Sequence, residues 1–241
     1  HERLELPANV ELALAPHSAI GLHPEALRAL FEGMDRPLPM PLATSAAERA
    51  FLADGGGPIG AWLRAQGVDP GDLTPPGTGP VEQLEQLGVL GPALAATHLT
   101  DARPAELAAL AAAGARAVLC PRASLAVEMQ LPPLEDVVRA GLAPGLGSDS
   151  LAVATSLDVL EDAAALAARF PEFDPGALLA MATSGGARAL GLYDKGVLAE
   201  GTSPGVLLFE GDGIDDPLRH VLGRAGRPRR VLVRPGAELA R

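Results

Sequence analysis

Short apolar runs alternate with segments of helical periodicity along most of this chain. Residues 24–31 carry apolar side chains at helical spacing, whereas residues 93–97 form a run of small, mostly apolar residues that ends at His98. The first pattern predicts a helix, and the second predicts a buried strand. Regular alternation of the two is typical of βα units, which build a parallel sheet or a (β/α) barrel.

The alternation predicts about five βα units. The predicted strands are residues 10–15, 38–43, 93–97, 117–120 and 142–146. The predicted helices are residues 24–31, 46–52, 59–65, 81–87, 104–113, 134–140, 157–168 and 175–190, and residues 69–79 are predicted to form a loop. Pro121 is expected to end the fourth strand, and Pro39 and Pro41 are unusual for a central strand.

The C-terminal part of the chain has a different pattern. Residues 196–210 and 230–234 look like short strands, and no helical periodicity of useful length lies between them. We therefore predict an α/β fold with two parts. Residues 1–195 would form a partial (β/α)8 barrel of the TIM type, and residues 196–241 would form a small β-sandwich segment.

Composition and charge exclude several classes of function. With 241 residues, of which 48% are hydrophobic, the chain can bury one large core. A formal net charge of -11 would repel a phosphate backbone, so nucleic acid is not an expected partner. Lys195 is the only lysine and lies in a turn-like segment, and no P-loop motif is present, which argues against Schiff-base and P-loop chemistry.

The single cysteine and the absence of long apolar runs bear on location. Cys120 has no second cysteine to pair with, which excludes an internal disulfide framework and suits a reducing compartment. No run approaches the roughly 20 apolar residues of a membrane helix, and no charged and apolar leader opens the chain. We therefore expect a cytoplasmic protein without a membrane partner.

Asp149 lies at the end of the predicted strand 142–146, within the sequence APGLGSDSL. A carboxylate in this position is placed where a barrel or an open parallel sheet carries its chemistry. Gly145 and Gly147 would let the backbone come close to whatever Asp149 binds. Alternatively, Asp149 simply caps the helix that follows, because Asp and Ser are preferred N-cap residues and Ser156 also precedes that helix.

Three polar residues, His17, His98 and Asp149, follow predicted strands. In a barrel their side chains would converge, and a set of two His and one Asp can hold a divalent metal with an activated water. Each histidine taken singly could instead cap a helix or hydrogen-bond within a loop. We favour that interpretation for His23 and His220, which do not follow a strand.

Six motifs occur in the order found in one family of enzymes. They are APHSAI (residues 15–20), AATHLTD (95–101), CPRAS (120–124), GSDSLA (147–152), MATSGGARALGL (181–192) and KGVLAEGTSPGVLLFE (195–210). In this order they resemble the amidohydrolase superfamily, specifically its metal-dependent deaminase and chlorohydrolase branch. The resemblance covers nearly the whole chain.

The resemblance implies a role for each candidate residue. Asp149 would bind a divalent metal, zinc or iron, and take a proton from the metal-bound water, while His98 would steady the tetrahedral centre. His17 would contact the substrate. The implied reaction is hydrolytic removal of ammonia from an aminated ring. The usual substrates are small molecules of the purine nucleoside type, such as adenosine, S-adenosylhomocysteine or aminodeoxyfutalosine.

The chain departs from the family at the H-x-x-E motif of the fifth barrel strand, which holds a metal-binding histidine and a proton-shuttling glutamate. Pro41 stands in the histidine position and Thr44 in the glutamate position, and neither can replace the chemistry of the original residue. The family's first-strand H-x-H motif would lie upstream of His1. Either the chain is a piece of a longer enzyme, or it has lost the metal, which Pro41 and Thr44 favour.

Three functions remain open from the sequence. The first is a hydrolase of carbon-nitrogen bonds. The second is a catalytically inactive, metal-free relative that acts as a binding module or as a partner subunit. The third is a (β/α) protein of unrelated chemistry in which His98 and Asp149 cap loops. An exposed strand edge in the C-terminal part would also favour association into homo-oligomers.

Overall fold

The computed structural model describes residues 12–72 and 77–234 of the chain. Within them, four parallel strands lie side by side in chain order. The strands are β1 (Leu38–Leu42), β2 (Leu94–His98), β3 (Arg116–Leu119) and β4 (Gly145–Leu146). Because all four strands run in the same direction, their carboxyl ends meet at one edge of the sheet.

Helices connect and cover the strands. The helices are α1 (Pro24–Phe31), α2 (Ala46–Asp54), α3 (Gly57–Ala65), α4 (Pro80–Gln86), α5 (Pro104–Ala112), α6 (Pro121–Glu128), α7 (Leu134–Arg139), α8 (Val159–Arg169), α9 (Pro175–Ala180), α10 (Gly186–Ala189) and α11 (Pro217–Gly223). A π-helical turn, Met181–Gly185, joins α9 to α10, and a 3-10 turn covers Pro70–Asp72. None of the helices in residues 12–72 and 77–234 has the length and apolar character needed to cross a membrane.

The hydrophobic core lies between the sheet and its helices. Met40, Leu94 and Leu119 from the strands are completely or almost completely buried, and they belong to the same cluster as Leu107 and Leu110 of α5. The periodicity that predicted these elements therefore reflects burial. Apolar side chains on one stripe of each helix face the sheet, as the hydrophobic effect requires.

The two prolines of β1 are tolerated because β1 is an edge strand of the described sheet. The Leu38 amide donates to the carbonyl of Ala93 (2.7 Å), and the carbonyl of Leu42 accepts from the amide of Leu99 (3.2 Å). Backbone amide groups point alternately to the two sides of a strand, so the backbone nitrogens of Pro39 and Pro41 point away from β2. A missing amide hydrogen costs least at such an edge.

β4 packs directly against the π-helical turn, and this contact requires glycine. A Cβ atom on Gly185 would lie 2.4 Å from the carbonyl oxygen of Pro144, and one on Gly145 would lie 2.9 Å from the Cα of Gly186. Gly147 instead faces the Sγ of Cys120, at 3.2 Å from an added Cβ. The expectation that Gly145 and Gly147 make room for a ligand of Asp149 is therefore wrong, because both make room for the protein itself.

Two predicted strands differ from the structure. Residues 12–18 have no regular secondary structure, so the strand predicted over residues 10–15 is wrong for its described part, and residues 10 and 11 lie outside the described residues. Of the predicted strand 142–146, only Gly145–Leu146 pairs with β3. The amide of Leu142 instead donates to the carbonyl of Val137 and closes the end of α7 (3.2 Å).

Two helices were missed by the sequence interpretation. Pro121 does not simply end a strand but begins α6, because a proline at the first helical position loses no hydrogen bond. In the C-terminal part, α11 lies between the two strands, where no helix was predicted. Of the predicted loop 69–79, residues 73–76 lie outside the described residues.

The C-terminal sheet is smaller than predicted. It consists of two antiparallel strands, β5 (Val206–Leu208) and β6 (Arg230–Val233), so most of the strand predicted over residues 196–210 is wrong. Gly196 and Gly201 adopt left-handed backbone angles (φ 77° and 79°) that interrupt an extended strand. The boundary predicted between residues 195 and 196 stays a prediction.

An ion pair connects the C-terminal segment to α8. Both guanidinium Nη atoms of Arg229 donate to the carboxylate of Asp158 at 2.7 Å, and the amide of Gly226 donates to the same group at 3.0 Å. Asp158 also caps α8, accepting from the amide of Leu160. The bonds from Arg229, which outweigh burial, lower the pKa of Asp158 to about 2 from its ordinary 3.8.

Replacing Arg229 with glutamine should make the protein less stable at neutral pH but not in strong acid. A carboxyl whose pKa is depressed by folding stabilises the folded state above its unfolded pKa, and this stabilisation is lost as the pH falls. We expect a loss of about 1–2 kcal/mol at pH 7 that fades between about pH 4 and about pH 2. Urea unfolding of both proteins across this range measures the difference.

Arg230→Gln is the matched control, because Arg230 is exposed and its nearest acid, Glu210, is 3.9 Å away. An exposed pair of this kind contributes at most about 0.5–1 kcal/mol. A stability difference between wild type and Arg229→Gln that stays constant with pH would contradict the assignment of the Asp158 pKa to this pair.

Candidate active site

A cavity of about 420 Å³ opens at the carboxyl ends of the parallel strands. Its wall carries all three predicted site residues and both positions at which the chain departs from the family motif. The lining residues are His17, Ser18, Ile20, Pro41, Thr44, Ser45, Glu48, Ile59, His98, Thr100, Ala123, Ser124, Val127, Glu128 and Asp149. The structure thus brings His17, His98 and Asp149 together, His98 at the end of β2, Asp149 just beyond β4, and His17 from a segment without regular secondary structure.

The backbone is strained where the site residues leave the strands. His98 and Leu99 have φ angles of 70° and 56°, and Asp149 has a φ angle of 58°. Left-handed conformations at residues other than glycine cost about 1–3 kcal/mol each and concentrate at functional sites. Their occurrence at the ends of β2 and beyond β4 therefore supports a functional role for this edge of the sheet.

His98 is a neutral base at physiological pH. Burial lowers the pKa of the His98 imidazole, and the negative charge of Asp149 offsets this only in part. Asp149 itself is exposed to solvent. A neutral imidazole next to a carboxylate can accept a proton from a bound water, and the carboxylate then stabilises the resulting cation.

Cys120 directly follows β3, the strand that lies between β2 and β4. Burial, followed by the charges of Asp149 and Asp162, raises the pKa of its thiol to about 12, although the backbone amides of His98 and Asp149 act in the opposite direction. The thiol is therefore protonated and unreactive. Cys120 packs the site from below and is not a candidate nucleophile.

Two other histidines, His23 and His220, have the structural roles that the sequence suggested. The Nδ1 atom of His23 accepts from the amide of Glu25 (3.3 Å) and caps α1. The Nε2 atom of His220 lies 3.1 Å from the carbonyl of Glu210. His17 differs from them because it lines the cavity, but it is exposed and does not follow a strand.

The alternative role of Asp149 as a helix cap is wrong. The helix that follows, α8, begins at Val159, and Asp158 caps it by accepting from the amide of Leu160 (3.1 Å). Ser156 is also not the cap, although its hydroxyl accepts from the amide of Asp158. Asp149 therefore does not cap α8.

Several polar residues of the cavity were not among the predicted site residues, including Thr100, Ser124 and Glu48. Thr100 and Ser124 share a buried hydrogen bond of 2.7 Å between their hydroxyls. Glu48 lies in the first turn of α2 and is almost completely buried. In the sequence, the spacing of Ser45 and Glu48 matches a helix-capping pattern. This pattern gives no sign that Glu48 also lines a cavity.

The described residues do not fit a metal site of the expected kind. A tight zinc site needs about three or four protein ligands. No group of three His, Cys, Asp or Glu side chains in residues 12–72 and 77–234 is arranged to hold a metal ion. Pro41, which the resemblance aligns with a family ligand, lies on the cavity wall and has no side-chain atom that can bind a metal ion.

Restoring donor groups on β1 should create a metal site. The double variant Pro41→His, Thr44→Glu adds an imidazole and a carboxylate to the wall that holds His98 and Asp149. We expect zinc affinity to rise by at least about tenfold, and to fall at acid pH as the new histidine is protonated. Competition with a coloured chelator measures the dissociation constant.

The matched control is Pro39→His, Thr44→Glu, which keeps the new carboxylate just beyond β1 but moves the imidazole two residues along the strand, to a position that does not line the cavity. Pro39 does not line the cavity in the described structure. Equal zinc affinity in the two double variants would show that Pro41 does not occupy a ligand position.

Comparison with known proteins assigns the family. The chain matches the Amidohydrolase family over residues 2–233 and therefore belongs to that family. An aminodeoxyfutalosine deaminase from Deinococcus radiodurans is 31% identical over 205 residues, which cover 78% of this chain and 47% of that protein. A 5-methylthioadenosine/S-adenosylhomocysteine deaminase from Pelotomaculum thermopropionicum is 34% identical over 141 residues, or 56% of this chain and 33% of that protein.

The fold has solved counterparts. An adenosine deaminase from Xanthomonas campestris with bound zinc superposes with a TM-score of 0.68 and 26% identity, covering 88% of this chain and 48% of that one. The chain thus spans about half the length, or less, of these relatives.

These comparisons settle the fold and the family. The prediction of a partial barrel of the amidohydrolase type is confirmed, and the unrelated (β/α) protein is excluded. A divalent metal is associated with the family, since the adenosine deaminase contains zinc. The individual roles of His17, His98 and Asp149 stay predictions.

Proposed function

We propose that this protein is a hydrolase of carbon-nitrogen bonds that removes ammonia from an aminated purine-type nucleoside. The observation that carries the proposal is that one cavity, at the carboxyl ends of the parallel strands, is lined by both His98 and Asp149. The deaminase names of the two curated relatives support the reaction class and the kind of substrate.

The cavity has a size and a lining suited to such a ligand. Its volume of about 420 Å³ lies within the usual range for small-molecule sites, about 300–1,000 Å³. Ile20, Ile59 and Val127 provide apolar surface for a flat ring. Polar and acidic side chains on the rest of the wall provide hydrogen-bond partners for amino, ring-nitrogen and hydroxyl groups, and we assign substrate contact to His17, which lines the cavity.

The described residues provide the proton transfers of a deamination. Neutral His98 can take a proton from a water that attacks the carbon bearing the amino group, and Asp149 then stabilises the imidazolium. The same imidazolium can protonate the leaving amino group, which departs as ammonia. The zinc or iron ion that the family resemblance implies has no complete set of ligands among the described residues.

A second candidate function is a metal-free relative that binds a nucleoside without converting it, or that serves as a partner subunit. Pro41 on the cavity wall favours this candidate, because it takes the place of a family metal ligand. The two candidates share a ligand and differ in turnover.

Calorimetric titration with adenosine, S-adenosylhomocysteine and aminodeoxyfutalosine, followed by measurement of released ammonia, distinguishes the two candidates. Each experiment is made with and without added zinc or iron. Saturable binding with ammonia release supports the hydrolase, and saturable binding without it supports the binding module. The absence of both binding and release would contradict both candidates.

We also propose a cytoplasmic location and association into homo-oligomers. The first rests on the single cysteine and the second on the small β5–β6 sheet, in which Leu207, Val231 and Leu232 are exposed. Light scattering over a wide concentration range tests the second proposal, and a monomer at every concentration would contradict it.

A further inference from the structure

The loop that carries Asp149 is long, exposed and strained. This Asp149 loop, residues 147–158, connects β4 to α8. Residues 149–152 are exposed to solvent, and the φ angle of Asp149 is 58°. A strained backbone persists only where the surrounding structure holds it in place. The contacts that fix the two ends of the loop therefore decide where the Asp149 carboxylate lies.

The end of the loop next to β4 is fixed by the sheet. The amide of Gly147 donates to the carbonyl of Leu119, the last residue of β3, at 2.9 Å. Further along, the amides of Val153 and Ala154 donate to the carbonyl of Ser150 (3.2 and 2.9 Å) and form a turn inside the loop. A turn of this kind shapes the loop but does not attach it to the rest of the protein.

Arg122 fixes the end of the loop next to α8. Its Nη2 atom donates to the carbonyls of Ser156 (3.0 Å) and Asp158 (3.2 Å), and its Nη1 atom donates to the hydroxyl of Ser156 (3.3 Å). Arg122 lies in the first turn of α6, and the two residues that follow it line the cavity. One side chain thus connects the cavity wall formed by α6 to the loop that carries Asp149.

Charge neutralisation does not explain these contacts with the loop. Arg122 also binds the buried carboxylate of Asp162, from Nε at 3.1 Å and from Nη2 at 2.9 Å. A lysine ammonium could neutralise that carboxylate as well. The planar guanidinium differs because its N–H groups point in fixed directions and reach several acceptors at once, whereas an ammonium is a compact point charge. The bonds to Ser156 and Asp158 therefore form a separate role that lysine would not reproduce.

On the basis of the proposed deamination, we propose that Arg122 is a positioning residue that holds the Asp149 loop, and with it the Asp149 carboxylate, at the cavity. Arg122 does not line the cavity, so it acts through the loop and not on the substrate. The loop keeps the Asp149 charge close enough to act on the imidazole of His98. Without the bonds from Arg122, the carboxylate would spread over more positions, and fewer molecules would have the geometry that the reaction needs.

The test is the turnover of Arg122→Lys, which keeps a positive charge near Asp162 but loses the bonds to the loop carbonyls. We expect kcat for ammonia release to fall by about 10-fold or more, with KM changed by less than about threefold, because a displacement of about 1 Å can cost about 100-fold in rate. Steady-state rates are measured at a temperature at which both proteins are fully folded. A role in stability alone would leave kcat of the folded protein unchanged, so a smaller fall would overturn the proposal.

Arg229→Gln is the matched control. Arg229 binds the side chain of Asp158 at the same end of the loop, and its replacement leaves every bond from Arg122 to the loop in place. This variant should be less stable than wild type but should keep kcat within about twofold. An equal fall of kcat in both variants would overturn the proposal, since it would reflect general destabilisation.

Ser156→Gly is the second variant, for the case that Arg122→Lys does not fold. It keeps the pair between Arg122 and Asp162, removes the hydroxyl acceptor and gives the backbone at this end of the loop more freedom. We expect kcat to fall by about threefold or more with little change in KM. A smaller fall in the folded variant would contradict the role of Arg122.

Amide hydrogen exchange without a ligand separates this proposal from the proposed function. In Arg122→Lys the amides of Val153 and Ala154 should exchange about tenfold faster or more, and their acceleration should exceed that of Ala163 and Leu166 in α8. If wild type releases no ammonia, the proposed function fails, and this exchange alone decides the role of Arg122. A smaller acceleration in the loop, or one that α8 equals, would overturn the assignment.

Discussion

Replacement of Asp149 by asparagine should lower kcat for ammonia release by about 100- to 10,000-fold. In the proposed reaction the imidazole of His98 carries a proton between the water and the leaving amino group, and the charge of Asp149 favours the protonated form of this imidazole. Asparagine keeps the size of the side chain but removes the charge. Because the substrate ring contacts other parts of the wall, KM should change little.

The steady-state rate of ammonia formation at pH 7 measures this effect. Asp136→Asn is the control, since Asp136 lies on α7, pairs with exposed Arg139 and is not part of the cavity. It should leave kcat within about twofold of wild type. Unchanged turnover in Asp149→Asn would show that the carboxylate takes no part in the reaction.

Replacement of Arg122 by alanine should cause the largest loss of stability, about 3–5 kcal/mol. Arg122 donates to Asp162 from its amide (3.1 Å), from Nε (3.1 Å) and from Nη2 (2.9 Å), and it also pairs with Glu161. The Asp162 side chain is completely buried. In Arg122→Ala its charge would keep only the hydrogen bond from the amide of residue 122 and would lose its counter-ion.

The pH dependence identifies the mechanism of this loss. Burial already raises the pKa of Asp162 in the intact protein, and removal of Arg122 should raise it further. A carboxyl whose pKa is raised by folding destabilises the folded state as the pH rises, so Arg122→Ala should recover part of its stability toward about pH 4.

Urea unfolding of Arg122→Ala at pH 7 and at acid pH tests both statements. Arg139→Ala is the control, because Arg139 forms an exposed pair with Asp136, and its loss should cost at most about 1 kcal/mol. A similarly small loss for Arg122→Ala would mean that the Asp162 carboxyl finds another partner.

The sequence predicted the sheet where burial alone controls the pattern. Residues 93–97 and 117–120 form nearly the strands that their apolar runs predict, because both strands lie in the interior of the sheet. Residues 10–15 have an equally apolar run, yet the described residues 12–15 are exposed and have no strand partner. Strand formation depends on a neighbour in space, which an apolar run does not reveal.

Pro121 and Gly145 misled the prediction because their tertiary surroundings were decisive. Pro121 begins a helix, whereas the strand predicted over residues 38–43 does form, because its outer edge does not need the amides that Pro39 and Pro41 lack. Gly145 is needed because β4 packs so closely against the π-helical turn that a side chain would not fit. The same residue types end strands or open space for ligands in other settings.

The site was predictable only in part. His98 and Asp149 could be found because they follow apolar runs and belong to ordered motifs. Glu48 could not, since its sequence context indicates a helix cap and its unpartnered Oε1 depends on packing across the cavity wall. Buried polar atoms without partners are properties of three-dimensional packing.

Incubation of the protein with an aminated purine nucleoside in H₂¹⁸O tests the central claim most directly. Hydrolytic deamination predicts one ammonia for each nucleoside consumed and one ¹⁸O atom at the carbon that carried the amino group. Mass spectrometry of the product detects both the loss of nitrogen and the labelled oxygen. Recovery of an unlabelled, unchanged nucleoside after saturable binding would contradict the hydrolase and leave the cavity as a binding site.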